Sequence, residues 1–198
     1  MTDSRRRPPI YYVRHGETDW NAQARFQGRR DIPLNDKGRA QAGRNGRALV
    51  AELGAADGFD FLCSPLSRAR DTMEIIRGGM GLDPADYAID ERLIEASYGD
   101  LEGVSLSGIE ARHPDLFETR RTDRWHFTPP GGESLAMTLA RVSPLIDGLA
   151  GPTVIVAHGA VGRAVRRHLL GLSENDAAWY EFPQDKVFRF EDGGERLI

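Results

Sequence analysis

Two short apolar, β-prone runs in this chain end in the same dipeptide, Val13-Arg14-His15-Gly16 and Val156-Ala157-His158-Gly159. A strand that stops at a histidine and passes into glycine puts an imidazole at the carboxyl edge of a sheet. Strand and helix patterns alternate around these runs. Residues 10–13 form the first strand. Residues 36–53 take helical spacing, with a start signal at Asn35/Asp36 and Ala40, Ala48, Leu49 and Leu53 apolar. Residues 59–63 read as a second strand. Ser64-Pro65 then reads as the opening of a helix carrying Met73, Ile75 and Ile76, since proline suits the first turn. Gly78 and Gly79 stop that helix. Residues 87–89 form a weaker third strand, and Ser105 is expected to cap a short helix ending before Pro114. Residues 119–132 are polar, close on Pro129-Pro130-Gly131-Gly132, and read as a loop. A helix over 133–149, bent at Pro144, a buried strand over 153–157 and a helix from His158-Gly159 to Gly171 follow. Residues 187–190 and 196–198 flank Asp192-Gly193-Gly194 as a terminal hairpin.

Strands separated by helices favour parallel pairing, and a parallel sheet is covered on both faces. The expected fold is one α/β domain over residues 1–198, with a mostly parallel sheet between two helical layers. A chain of 198 residues, 40% of them apolar, can bury such a core. Its net charge of −4 argues against general nucleic-acid binding. Lys37 and Lys186 are the only lysines, so arginine carries nearly all the positive charge. Guanidinium forks suit phosphate, but such a bias alone says little. Cys63 stands alone, which forbids an intramolecular disulfide and suits a reducing compartment. No apolar run approaches the roughly 20 residues of a membrane span. Residues 1–9 carry Arg5, Arg6 and Arg7 without the apolar stretch of a signal peptide, and read as a solvated tail. The expectation is a cytoplasmic protein with no nucleic-acid or membrane partner, a homodimer being left open.

In open α/β sheets, ligands sit beyond the carboxyl ends of the strands. Three strand ends deliver reactive groups here: Arg14 and His15 from the first, Arg68 just past the second, and His158 from the last. If those strands are neighbours, two imidazoles and two guanidiniums meet in one pocket. Helix N-termini after Ser64 and at Gly159 add backbone N–H groups, so the pocket wants an anion. Phosphoryl transfer needs charge stabilisation on three equatorial oxygens and a nucleophile in line with the leaving group. Arg14, Arg68 and His158 can hold the oxygens. His15, mostly neutral near pH 7 and more so beside arginines, can attack. A leaving alkoxide needs a proton, and Glu95, just before Tyr98-Gly99, is the candidate acid. Each residue alone has a plainer reading, His15 as a hydrogen-bonded strand end, Arg68 and Glu95 as surface charges. His113, His126 and His168 read as structural, with His126 at the rim, and Cys63 as an inert core thiol. A metal centre would need His and carboxylate ligands at coordinating spacing, and arginines beside it would repel the cation. No metal and no cofactor are expected.

The segment Arg14-His15-Gly16-Glu17-Thr18-Asp19-Trp20-Asn21 resembles the signature of the histidine phosphatase superfamily, the family of cofactor-dependent phosphoglycerate mutase. Further matches follow in order. They are Arg25-Phe26-Gln27-Gly28, Pro33-Leu34-Asn35 with Gly38 and Gln41-Ala42, and Ser64-Pro65-Leu66-Ser67-Arg68-Ala69 with Thr72. Then come Glu91-Arg92-Leu93 with Glu95, Tyr98-Gly99-Asp100-Leu101-Glu102-Gly103, Gly131-Gly132-Glu133-Ser134, and Val156-Ala157-His158-Gly159. The resemblance covers residues 10 to 170 and is specific in combination. It implies a three-layer α/β/α sandwich with His15 as the phosphorylated nucleophile. Arg14, Arg68 and His158 would complete the phosphate pocket, Asn21 would bond a phosphate oxygen, and Gln27 and Gly28 would line the substrate side. Glu95 would donate the proton and then activate water.

The resemblance leaves a phosphatase acting on a small phosphorylated metabolite, or a phosphoglycerate mutase. A mutase must shield phosphohistidine from water, which favours a long covering insertion. The stretch from Glu95 to His158 is short, with a covering segment around residues 105–130 that would set specificity, so phosphatase is expected. Against that, Arg120-Arg121 stands where mutases carry a paired arginine that grips the substrate carboxylate; its plainer reading is a solvated loop pair. A non-catalytic phosphate-binding regulatory module is the alternative of another class. It would not need a nucleophile and an acid together.

Overall fold

The computed structural model describes residues 7–54 and 56–198, so residues 1–6 of the expected tail lie outside the described residues. β1 (Ile10–Arg14) pairs in parallel with β4 (Thr153–Ala157), in a register running from Ile10↔Thr153 to Arg14↔Ala157. β2 (Asp60–Cys63) lies parallel on the other side of β4, and β3 (Ala88–Ile89) lies outside β2. β5 (Val187–Glu191) runs antiparallel along β1 and returns as β6 (Gly194–Leu197), the hairpin expected from the sequence. The order is β3-β2-β4-β1-β5-β6, a mostly parallel sheet.

The two-residue period of the strands divides the core into two layers. Tyr11, Val13, Val154 and Val156 face α2 (Asp36–Leu53) and α3 (Ser67–Gly79), packing with Leu49, Met73 and Ile76. Ile10, Tyr12, Ile155 and Ala157 face α6 (Leu135–Asp147) and α7 (Gly159–Leu170), packing with Val142, Ile146, Val161 and Val165. β4 is buried on both faces, which is why its sequence is apolar without alternation. The remaining helices are short: α1 (Asp19–Ala22), α4 (Leu106–Arg112), α5 (Pro114–Thr122) and α8 (Glu174–Trp179). No described helix is long and apolar enough to cross a membrane.

Several expected boundaries move. The helix after β2 opens at Ser67, not at Ser64-Pro65, because the Ser64 hydroxyl is engaged by His158 at 2.6 Å and Leu66 takes the cap position without a side-chain bond. Residues 119–132 are not all loop. Pro114 starts α5 at its first turn and the helix runs to Thr122, so Arg120 and Arg121 are helical. α6 begins at Leu135 behind a Ser134 cap and continues through Pro144. Pro8 and Pro9 are half-buried, and the Pro9 carbonyl accepts the Thr153 N–H at 3.1 Å, so this end of the tail is tied to β4. α1 and α8 are too short to show a helical period and went unpredicted.

Candidate active site

β2, β4 and β1 are neighbours, so their carboxyl ends meet. The ladder continues one residue past the strands: the His15 N–H donates to the Ala157 carbonyl at 2.9 Å and the Ser64 N–H to the Val156 carbonyl at 3.0 Å. Parallel register therefore sets His15, His158 and Ser64 side by side. The two imidazole centroids are 5.1 Å apart, with planes tilted by 58°. His15 and His158 are both buried.

His15 Nδ1 stands 2.7 Å from the Gly16 carbonyl oxygen. A carbonyl only accepts, so Nδ1 carries the proton and Nε2 of the neutral ring keeps its lone pair. Burial, then the charges of Arg68 and Arg14, hold the His15 pKa well below the usual imidazole value. The ring is therefore neutral at pH 7. A Cβ at Gly16 would meet the Gly38 carbonyl oxygen at 2.2 Å, so only glycine lets this turn pack against the start of α2.

Arg68, in the first turn of α3, is fully buried. Its Nη1 donates to the Arg30 carbonyl at 2.7 Å and its Nη2 to the Gly28 carbonyl at 2.8 Å. Gly28 holds φ +52°, a left-handed turn, and a Cβ there would sit 2.1 Å from Glu102 Oε1. Arg14 donates through Nη1 to the Phe182 carbonyl at 2.7 Å. Burial and then Arg163 lower its pKa to about 10, which leaves it charged at pH 7. His158 joins Ser64 Oγ through Nε2, while burial, then Arg68 and His15, keep its ring neutral. Within this site three buried nitrogens have no hydrogen-bond partner among the described residues: Arg14 Nε, Arg68 Nε and His158 Nδ1. An unsatisfied buried polar group costs about 1–3 kcal/mol. One anion could accept from several of them.

Glu95 follows the 3-10 turn Glu91–Leu93 and is buried. Its Oε1 accepts from the Ala96 N–H at 3.0 Å and from the Ala160 N–H, in the first turn of α7, at 3.2 Å. Asn21 closes the capping box of α1. Its Oδ1 accepts from the Thr18 N–H at 3.2 Å and from Gln184 Nε2 at 3.0 Å. Gln27 is buried with Oε1 unpartnered. Arg14, His15, Asn21, Gln27, Gly28, Arg68, Glu95 and Gly159 line one pocket of about 540 Å³. His158 is fully buried and is not among the residues that line it.

Arg120 and Arg121 do not act as a pair. Arg121 is exposed and bound to Glu118 at 2.6 Å, the plainer of its two readings. Arg120 is buried, its guanidinium 5.4 Å from the Phe26 ring centroid and 5.9 Å from that of Trp179. It lines a second hollow with Arg124 and Arg163, and the two hollows share Tyr98, Arg124 and Arg163. Burial, then Arg163 and Arg120, lower the Arg124 pKa to about 9. Neither Arg120 nor Arg124 bonds a carboxylate among the described residues, and Glu133 in the same hollow is already held by Arg141 at 3.0 Å and Arg29 at 3.2 Å.

Sequence reasoning missed Arg124 and Arg163, whose plain surface pattern carries no motif. It also missed Phe182 and Gln184, which act through a backbone carbonyl and a lone amide. His126 pairs with Asp123 at 3.1 Å, His168 with Asp147 at 2.7 Å, and His113 is an exposed junction between α4 and α5. Cys63 is buried, and burial raises its thiol pKa. Among the described residues no cluster of three or more His, Cys, Asp or Glu side chains is placed to hold a metal ion.

The family model of the histidine phosphatase superfamily (branch 1) matches residues 10–197, beyond the stretch legible as motifs. A 2,3-bisphosphoglycerate-dependent phosphoglycerate mutase of Methylobacterium radiotolerans is 37% identical over 173 residues, 83% of this chain and 80% of that protein. The enzyme of the same name from Beijerinckia indica is 36% identical over 175 residues, 83% of this chain and 82% of that protein. Among solved structures, a mycobacterial glucosyl-3-phosphoglycerate phosphatase complexed with VO3 is similar with a TM-score of 0.80 and 29% identity, covering 96% of this chain and 97% of that one.

Proposed function

This chain belongs to the histidine phosphatase superfamily, branch 1, and on that premise we propose that it hydrolyses a small phosphate monoester through a phosphohistidine at His15. The carrying observation is the set of partnerless buried nitrogens, Arg14 Nε, Arg68 Nε and His158 Nδ1, beside a neutral His15 with a bare Nε2. In the first step the Nε2 lone pair forms the N–P bond as the ester O–P bond breaks, and Glu95 gives its proton to the leaving oxygen. In the second, water attacks phosphorus, Glu95 takes the water proton, and the N–P bond returns its electron pair to Nε2. Fixed guanidiniums hold the equatorial oxygens throughout. The choice of water as acceptor is supported by the rim, where Arg25 is exposed and Asn21, Phe26, Tyr98 and Arg124 are half-exposed. Arg120, Arg124 and Arg163, which bond no carboxylate among the described residues, support a leaving group that bears its own negative charge.

A second reading is favoured by the names of the sequence relatives: a mutase, in which phosphohistidine passes its phosphoryl group to a second hydroxyl. One experiment separates the two. Purified protein is given a set of phosphate monoesters including 3-phosphoglycerate, and both free phosphate and 2-phosphoglycerate are followed. Phosphate release ahead of isomer formation is the expected result. Isomer ahead of phosphate would establish the mutase. Phosphate binding without turnover would establish the non-catalytic module.

A further inference from the structure

Ser64 reaches the centre of the site and nothing in the steps above uses it. The residue is fully buried at the end of β2. Its Oγ accepts weakly from the Leu66 N–H at 3.4 Å and stands 2.6 Å from His158 Nε2. A serine hydroxyl has one proton to donate. Among the described residues the only acceptor within hydrogen-bond reach of that proton is His158 Nε2. If Nε2 itself were protonated it would donate to Oγ, and the buried hydroxyl proton would be left with no acceptor among the described residues, an arrangement that buried polar groups avoid.

We infer that Ser64 is a positioning residue that donates to His158 Nε2 and so fixes His158 as its Nδ1–H tautomer. The proton then lies on the nitrogen that no protein group accepts from, in the same buried set as Arg14 Nε and Arg68 Nε. Tyr12 supports the same ring from its backbone, donating its hydroxyl to the His158 carbonyl at 2.6 Å. The two histidines thus share a tautomer and divide the work. In His15 the Gly16 carbonyl draws the proton to Nδ1 and bares Nε2 for attack. In His158 Ser64 occupies Nε2 and turns Nδ1–H into a donor to the phosphoryl group. This assignment rests on the proposed phosphoryl-transfer reading for its purpose. Its tautomer does not depend on that reading.

The test has two arms. Nitrogen-15 NMR of histidine-labelled wild-type protein, with His158 assigned by comparison with His158→Gln, reads the tautomer directly. The expected spectrum has a protonated Nδ1 and a bare Nε2, and a protonated Nε2 would overturn the inference even if catalysis proceeds as proposed. In the second arm, rapid quench measures phosphoenzyme formation in Ser64→Ala and Ser64→Thr, with folding checked by thermal melting. Ser64→Ala should form phosphohistidine about ten- to hundredfold more slowly, with little change in KM, since it releases a donor to the transition state. Ser64→Thr, which keeps the hydroxyl, should recover most of the loss. A folded Ser64→Ala that phosphorylates within about twofold of wild type would overturn the inference. So would a threonine variant as slow as the alanine one. If either variant fails to fold, the wild-type spectrum still decides. If wild type forms no phosphohistidine, the proposed function fails and the spectrum again stands on its own.

Discussion

At the scale of single residues, the site is a matter of which nitrogen carries a proton. His15 keeps a bare Nε2 because a carbonyl holds its Nδ1–H and because burial beside two guanidiniums disfavours the imidazolium. His15→Ala should therefore abolish turnover and leave the melting behaviour folded, while wild type quenched with substrate should yield an acid-labile, alkali-stable phosphoenzyme. Full activity in His15→Ala would end the covalent mechanism. Glu95→Gln keeps the shape and loses the proton. It should slow phosphoenzyme formation most for alkyl phosphates, about a hundredfold or more, and least for an activated aryl phosphate whose leaving group needs no acid. Single-turnover rates on the two ester types check this, and equal slowing of both would remove Glu95 from the acid role. Arg14, His15 and His158 were legible in the sequence because strand ends with reactive groups are rare. Ser64 was legible as a helix start and as part of a motif match, but not as the partner of His158, since no local pattern reveals a contact across 94 positions. Gln184, which donates to the His15 carbonyl at 3.1 Å, left no mark at all.

At the scale of elements, α5 brings Arg120 to the hollow beside the candidate site. Its sequence reads as loop from residue 119 onward, because nine residues give only about two and a half turns and their apolar stripe is faint. Made helical, the segment turns successive arginines to different sides, as residues one apart on a helix must. Arg120 goes inward to meet Arg124 and Arg163, and Arg121 goes outward to Glu118. The mutase-like pair is thereby divided, and only Arg120 of the two lines the hollow. Replacing Arg120 and Arg124 with glutamine should weaken binding of a phosphate ester bearing a carboxylate or second phosphate by about ten- to hundredfold, the worth of a charge-assisted bond. An ester with a neutral leaving group should change by less than about threefold, and Arg121→Ala should leave both alone. KM values for a matched charged and neutral ester test this. A uniform effect on both esters would return the hollow to a structural role.

At the scale of the whole molecule, the fold was the most legible part, for a physical reason. Long elements advertise their period, so α2 with its Asn35 cap, β4 with its unbroken apolar run and the terminal hairpin all stood out. The short helices α1, α5 and α8 carry no such signal. The same sheet that positions the candidate pocket also buries two neutral histidines, and this has a cost in acid. Unfolded, His15 and His158 titrate near pH 6.5. Folded, burial holds both well below that value. Between those two limits the unfolded chain binds protons that the native chain refuses, so stability is complete above about pH 6.5 and falls as the pH drops. The slope should approach about 1.4 kcal/mol per pH unit for each histidine, or about 2.7 kcal/mol for both. Carboxylates held low by their partners, such as Asp90 beside Arg92 and Asp147 beside His168, push the same way but in a lower window. Urea unfolding at pH 7, 6 and 5 should therefore show wild type losing stability well before the carboxylates titrate. The double variant His15→Gln, His158→Gln, which removes both titrations, should lose most of that steepness over the same range. A wild-type stability that stays flat from pH 7 to 5 would mean that both rings accept a proton in the folded chain, and the proposed neutral nucleophile would go with them.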